Sequence, residues 1–151
     1  MHDEAYVVTT RRGRRGMSEQ QVRALVNAES DEALVLLSHI GELHNHGSFV
    51  SLKEKRVILP LIRCFLDNPD TAHSMKELGL EIWGTQDVSS GMQTKIKVAV
   101  SRARALLGKD RDYIVTGSRA EPEGGSCVTY CLAEDLDFYL ISEGTGESSE
   151  G

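Results

Sequence analysis

The chain has 151 residues, 40% of them apolar and 26% charged, which suits one globular domain with some length left for tails. No apolar run approaches the ~20 residues of a membrane span, and no basic start leads into an apolar signal core, so a cytoplasmic protein without a membrane partner is expected. The formal net charge of −6 argues at first sight against nucleic acid, yet residues 133–151 hold six acids and no base and carry all of it, while residues 48–132 sum to +2 and residues 1–47 to −2. Cys64, Cys127 and Cys131 are an odd number in a chain without a secretion signal, which points to reduced thiols.

Tyr6-Val7-Val8-Thr9 is a short β-prone run, followed by RRGRRG from Arg11 to Gly16. A glycine-punctuated arginine cluster buries nothing and is expected to be mobile, a charged hinge ahead of the alternative of an arm that reaches for phosphate or RNA. Ser18 reads as an N-cap before EQQVRALVNA, in which Val22, Leu25 and Val26 stand at helical spacing. From Glu32 the pattern turns to β: residues 33–37, 39–43 and 48–52, with Asn45, His46 and Gly47 as a hairpin turn. A small antiparallel sheet ahead of the helices follows. His44 and His46 have no third ligand near them in sequence and read as polar turn residues, so no metal is expected.

Residues 53–66 place Ile58, Leu61, Ile62, Phe65 and Leu66 on one helical face, and Pro60 predicts a kink or a late start. Ser74 and Glu77 form a capping box. The helix behind it offers Leu78, Ile82 and Trp83 to a core and stops at Gly84. Residues 85–89 are a polar loop.

Residues 90–107, SGMQTKIKVAVSRARALL, predict a helix with two unlike faces. At 100° per residue, Ile96, Ala99, Val100, Ala103, Leu106 and Leu107 make a core stripe. The opposite side centres on Thr94, Val98, Ser101 and Ala105, flanked by a column of Lys95 and Arg102 and another of Lys97 and Arg104, with no acid from residue 90 to 109. A small centre between two basic columns suits a DNA major groove, with base edges at the centre and phosphates on either wall. The competing account is a solvated basic amphipathic helix. Further on, residues 113–116 and 126–132 read as two strands of a hairpin, with Cys127, Thr129 and Cys131 on one face and Val128, Tyr130 and Leu132 on the other. Residues 137–141 pack against the body, and the remaining acidic end is expected to be disordered.

The order of sheet, three helices and hairpin, with Asn68-Pro69, Ser74, Glu77-Leu78 and Ile82-Trp83-Gly84, resembles the OmpR/PhoB-type winged helix-turn-helix effector domains of bacterial transcription regulators. The segment from Val98 to Leu107 is similar to the end of that family's recognition helix, and Tyr113-Ile114 with Thr116 to the start of its wing. The likeness covers residues 33–132. It implies an α+β winged helix-turn-helix with a three-helix core, a small N-terminal antiparallel sheet and a C-terminal β-hairpin wing. Residues 1–32 then form an N-terminal arm with the basic RRGRRG cluster and a short helix, and residues 133–151 an acidic, largely disordered tail.

The resemblance also implies that the third helix enters the major groove of double-stranded DNA and the wing meets the neighbouring minor groove or backbone. Arg102 and Arg104 match family positions that contact phosphates or bases. Thr94, Lys95, Lys97 and Ser101 join them from the helical wheel, and Val98, like Ala105, would favour thymine methyls. The loop at 85–90 occupies the place where family members meet RNA polymerase. One such helix gives modest specificity, so a homodimer reading repeated half-sites is expected. Cys131 replaces the usual wing arginine, Glu121 and Glu123 add negative charge to the hairpin loop, and the 32 residues ahead of the likeness are too few for a receiver domain. These departures keep open an alternative, a winged-helix protein-protein interaction module that has lost DNA. No Ser-His-Asp arrangement, phosphate loop or ligand cluster points to an enzyme, and no cofactor is expected.

Overall fold

The computed structural model describes residues 5–86, 89–107 and 113–144. The chain divides into two compact units, residues 1–55 with 137–151, and residues 56–136. The second unit is thus inserted, in sequence, between the two parts of the first.

The first unit is built on strands β1 (Tyr6–Thr10), β2 (Gly13–Met17), β3 (Leu34–Leu37), β4 (Glu42–Asn45), β5 (Ser48–Ser51) and the late strand β9 (Phe138–Glu143), with helix α1 (Glu19–Glu29) between β2 and β3. They form one six-stranded sheet in the order β2-β1-β9-β3-β4-β5. All pairings are antiparallel except β3 with β9, which run parallel with Leu36 beside Leu140. Val8, Val22, Val35, Leu37 and Ile141 make one core cluster on the α1 side, flanked by Tyr6, Met17, Leu25, Val26 and Tyr139. The alternate residues Leu34, Leu36, Leu43, Phe138 and Leu140 are buried as well. Burial on both faces explains why β3 and β9 read as continuous apolar runs instead of alternating ones. Ser18 caps α1 through a capping box with Gln21.

The second unit holds α2 (Ile58–Asp67), the two-residue strand β6 (His73–Ser74), α3 (Met75–Trp83), α4 (Ser90–Leu107), β7 (Ile114–Ala120) and β8 (Ser126–Leu132). Its sheet runs β6-β8-β7, and the three helices pack on one another. Pro60 introduces no break because it stands in the first turn of α2, where its missing N–H would have had no intrahelical acceptor. Ser74 and Glu77 cap α3 reciprocally, and Gly84 ends it in the left-handed conformation at φ 66°. Leu61, Ile62, Phe65 and Leu66 of α2, Leu78 of α3 and Ile96, Val100, Ala103 and Leu107 of α4 are buried. Ile82 and Trp83 are only half-buried.

The architecture is therefore α+β but not the expected winged helix-turn-helix with a three-helix core and a small N-terminal antiparallel sheet. The described residues form four helices and nine strands, with a mixed sheet of six and a second sheet of three. Two segments account for the difference. The RRGRRG cluster is no mobile hinge: it forms the turn and second strand of a hairpin, with Thr10 paired to Gly13 and Tyr6 to Met17. Within the stretch expected to be an acidic tail, Phe138–Glu143 is a central strand, hydrogen-bonded to β1 on one side and β3 on the other. The apolar run at residues 137–141, expected only to pack against the body, supplies most of a strand of the sheet itself. Residues 145–151 and Gly108, the expected stop of α4, lie outside the described residues.

Two predictions follow from this packing. A chain ended after Leu136 loses the strand that joins β1 to β3, so the first unit should no longer show a cooperative unfolding transition in thermal or urea denaturation. His73 supplies the second. Its ring stands edge-on to Phe65 at 5.4 Å, and its Nε2 is buried without a hydrogen-bond partner among the described residues. Burial pushes its pKa below the usual 6.5, outweighing Glu77, the Asn68 backbone and Glu81, which push it up. Below about pH 6.5 the unfolded chain therefore binds a proton that the folded unit resists, and stability should fall with pH until the lowered folded value is passed. Thermal unfolding of His73→Phe between about pH 7.5 and 5.5 should show a smaller decline than wild type.

Candidate nucleic-acid interface

Helix α4 spans Ser90–Leu107, the same residues expected from the sequence. Its start is fixed by Ser89, whose Oγ accepts from the Met92 N–H at 3.3 Å and whose carbonyl accepts from the Gln93 N–H at 3.0 Å. Met92, Ile96, Ala99, Val100, Ala103 and Leu107 form the buried face. The helix has no Asp or Glu, and of its four cations Lys95, Lys97 and Arg102 are exposed, as are Thr94, Val98, Ser101 and Ala105. Val98 is 42% exposed, a β-branched apolar side chain left in solvent between cationic neighbours. The Thr94 hydroxyl donates to the Ser90 carbonyl at 2.9 Å. Its proton is thereby committed, and its remaining lone pairs make it an acceptor toward the outside. Among the described residues Lys95, Lys97 and Arg102 have no acid within ion-pair distance.

Arg104 departs from the expected column. It is half-buried, and its Nε and Nη2 donate to the Ile114 carbonyl at 3.0 and 2.8 Å. Nη2 also donates to the Thr116 hydroxyl, and the guanidinium carbon lies 5.8 Å from the centre of the Tyr130 ring. A planar fork that grips one carbonyl and lies near an aromatic ring pins the end of α4 to the start of β7. The helical wheel set Arg104 beside Lys97, but it could not register that β7 begins next to the last turn of the helix. Arg104 is thus a positioning residue for the hairpin, and Lys97 is the exposed cation of its column.

Two further cations border the same region. Lys76 is exposed in the first turn of α3, and Arg119 on β7 reaches across to that turn, with Nη2 3.3 Å from the Glu77 carboxylate and Nη1 donating to the Ala72 carbonyl at 3.3 Å. The Ser74 backbone N–H, with Arg119 adding to it, holds the Glu77 carboxyl below its usual range. Between these groups, the first turns of α4 and β8 lies a groove of about 720 Å³ with Met75, Leu80, Met92, Ile96 and Val128 in its wall. Sequence spacing carries no sign of the Arg119–Glu77 pair, since it forms only when β7 folds back over α3.

Cys64, Cys127 and Cys131 are thiols outside any disulfide, the Cys131 thiol donates to the Pro69 carbonyl at 3.8 Å, and burial pushes the Cys64 thiol up to about 11, which keeps it protonated. His44 faces Phe49 at 5.1 Å and lies 3.7 Å from Glu42. Among the described residues no three His, Cys, Asp or Glu side chains are placed to hold a metal, and no helix is long and apolar enough to cross a membrane. Of the expected polymerase-facing loop, residues 87–88 lie outside the described residues, as do Lys109 and Arg111.

Replacing Arg104 by Ala leaves the Ile114 carbonyl without its charged donor and should lower the unfolding free energy by about 2 kcal/mol in urea denaturation. Arg104→Lys, which cannot fork, should recover only part of that loss.

No family model, curated protein or solved structure matches the chain.

Proposed function

We propose that the protein is a DNA-binding transcription regulator whose helix α4 lies in the major groove of a duplex. Lys95, Lys97 and Arg102 meet phosphates, while Thr94, Val98 and Ser101 face base edges, with Val98 against a thymine methyl. The observation that carries this reading is the outer face of α4: three exposed cations around a centre of short side chains, on a helix without an acid and with its opposite face buried in a folded core. An 18-residue helix is about 27 Å long, enough to follow the groove past several base pairs. Arg104 contributes indirectly by holding the hairpin against the helix. A pair of protomers on repeated half-sites would supply the discrimination that one helix lacks.

A protein-interaction module is the second reading. It is favoured by exposed Glu121 and Glu123 on the hairpin loop and by Leu80, which is 50% exposed at the edge of the groove.

Salt dependence separates the two. Fluorescence anisotropy of labelled duplex DNA should show log affinity falling with log salt, and the triple variant Lys95→Ala, Lys97→Ala, Arg102→Ala should flatten the slope by about 0.9 for each lost phosphate contact. If the wild-type chain does not bind duplex even at low salt, DNA reading by α4 is refuted and the interaction module takes its place.

A further inference from the structure

We propose that the β1–β2 hairpin is a second phosphate-binding site for duplex DNA, in addition to α4; this inference rests on the DNA reading above and extends it to the first unit. Residues 5–18 contain four arginines, Arg11, Arg12, Arg14 and Arg15, and no acid, in a chain whose net charge is −6. Thr10 pairs with Gly13, so Arg11 and Arg12 are the two residues of a tight turn. Gly13 makes the turn possible at φ 134°, where an L side chain would be strained. The Arg12 N–H donates to Thr10 Oγ1 at 3.1 Å.

The backbone that carries the arginines is held in place. Strand β1 is hydrogen-bonded on both sides, to β2 and to β9, and Val8 at its centre is 1% exposed. Arg12 and Arg15 are exposed, and among the described residues neither has an acid within ion-pair distance. A guanidinium fork on a rigid turn binds a phosphodiester with less ordering cost than the same group on a flexible arm. The local field of such a cluster attracts DNA whatever the total charge.

Protection of a sheet edge is the other account of these charges, because β2 is an outer strand. It explains Arg14 and Arg15, and Arg11 is taken up by the Phe138 ring, 5.9 Å from its guanidinium carbon, but neither accounts for exposed Arg12, which lies in the turn beyond the end of the strand. The opposite edge also counts against it. Strand β5, Ser48–Ser51, carries no charge at all and leaves Phe49 55% exposed, so charge is not this sheet's general means of guarding its edges.

The test uses the full chain, a labelled duplex and a salt series. Arg12→Ala with Arg15→Ala should lower the magnitude of the salt slope by about 2 and weaken binding roughly tenfold at low salt, with an unchanged circular-dichroism melt. Arg12→Lys with Arg15→Lys keeps the charge and should restore the slope. If the alanine pair leaves the slope unchanged while the α4 triple variant flattens it, the hairpin guards the edge only and this inference is overturned. If the alanine pair flattens the slope and the α4 triple does not, the hairpin site stands and the reading of α4 falls. If wild type fails to bind any duplex, both are refuted.

Discussion

The first unit depends on strand β9 joining β1 to β3. Its backbone supplies hydrogen bonds to both neighbours, and Phe138, Leu140 and Ile141 are each no more than 2% exposed. The chain delivers this strand only after the whole of residues 56–136, so the sheet cannot close until the far end of the chain returns. Such closure is costly in chain entropy, but the cost rises only slowly with the length of the intervening segment. A folded insertion is therefore tolerated thermodynamically, while the non-local pairing slows folding. The parallel register of β3 and β9 has the same origin. Adjacent parallel strands need a crossover, and here the crossover contains a complete second unit.

In the second unit, α4 divides its labour between two faces. The inner one is fixed by close packing: Ile96, Val100 and Leu107 are buried on the side of α4 that packs on α2 and α3. The outer one has no packing role, which leaves Lys95, Lys97 and Arg102 available for an anionic surface. Arg104 sits at the boundary between these roles. Its guanidinium is occupied by Ile114, Thr116 and Tyr130, so the charge that a wheel assigns to the surface works as a structural tie. The hairpin is tied at a second point by Arg119 to the capped start of α3. The two ties fix the hairpin at the cost of one α4 cation, Arg104, and leave Lys95, Lys97 and Arg102 exposed.

The arginine hairpin and α4 show the same principle in different secondary structures. Each concentrates positive charge on a segment without acids, in a chain that is acidic as a whole, and each anchors the segment by apolar burial behind it. Net charge describes behaviour at distances beyond a Debye length, roughly 8–10 Å at ordinary salt, whereas a phosphate in contact responds to the local cluster.

Where information was local, the amino-acid order was sufficient. The limits of α4, the N-cap at Ser18, the capping box at Ser74, the stop at Gly84, the late start of α2 around Pro60 and the return strand 126–132 all follow from spacing and backbone preference within a few residues. The exposed residues of α4 were legible for the same reason, since a helix with one apolar stripe has only one face to bury. What tertiary structure decided was every feature made by residues distant in sequence: β9 inside the sheet, the pairing that turns RRGRRG into a hairpin, the His73 contact with Phe65 and the capture of Arg104 by β7. A strand's hydrogen-bond partners and a guanidinium's carbonyl are chosen by which segments meet, and periodicity along one segment contains no record of that meeting.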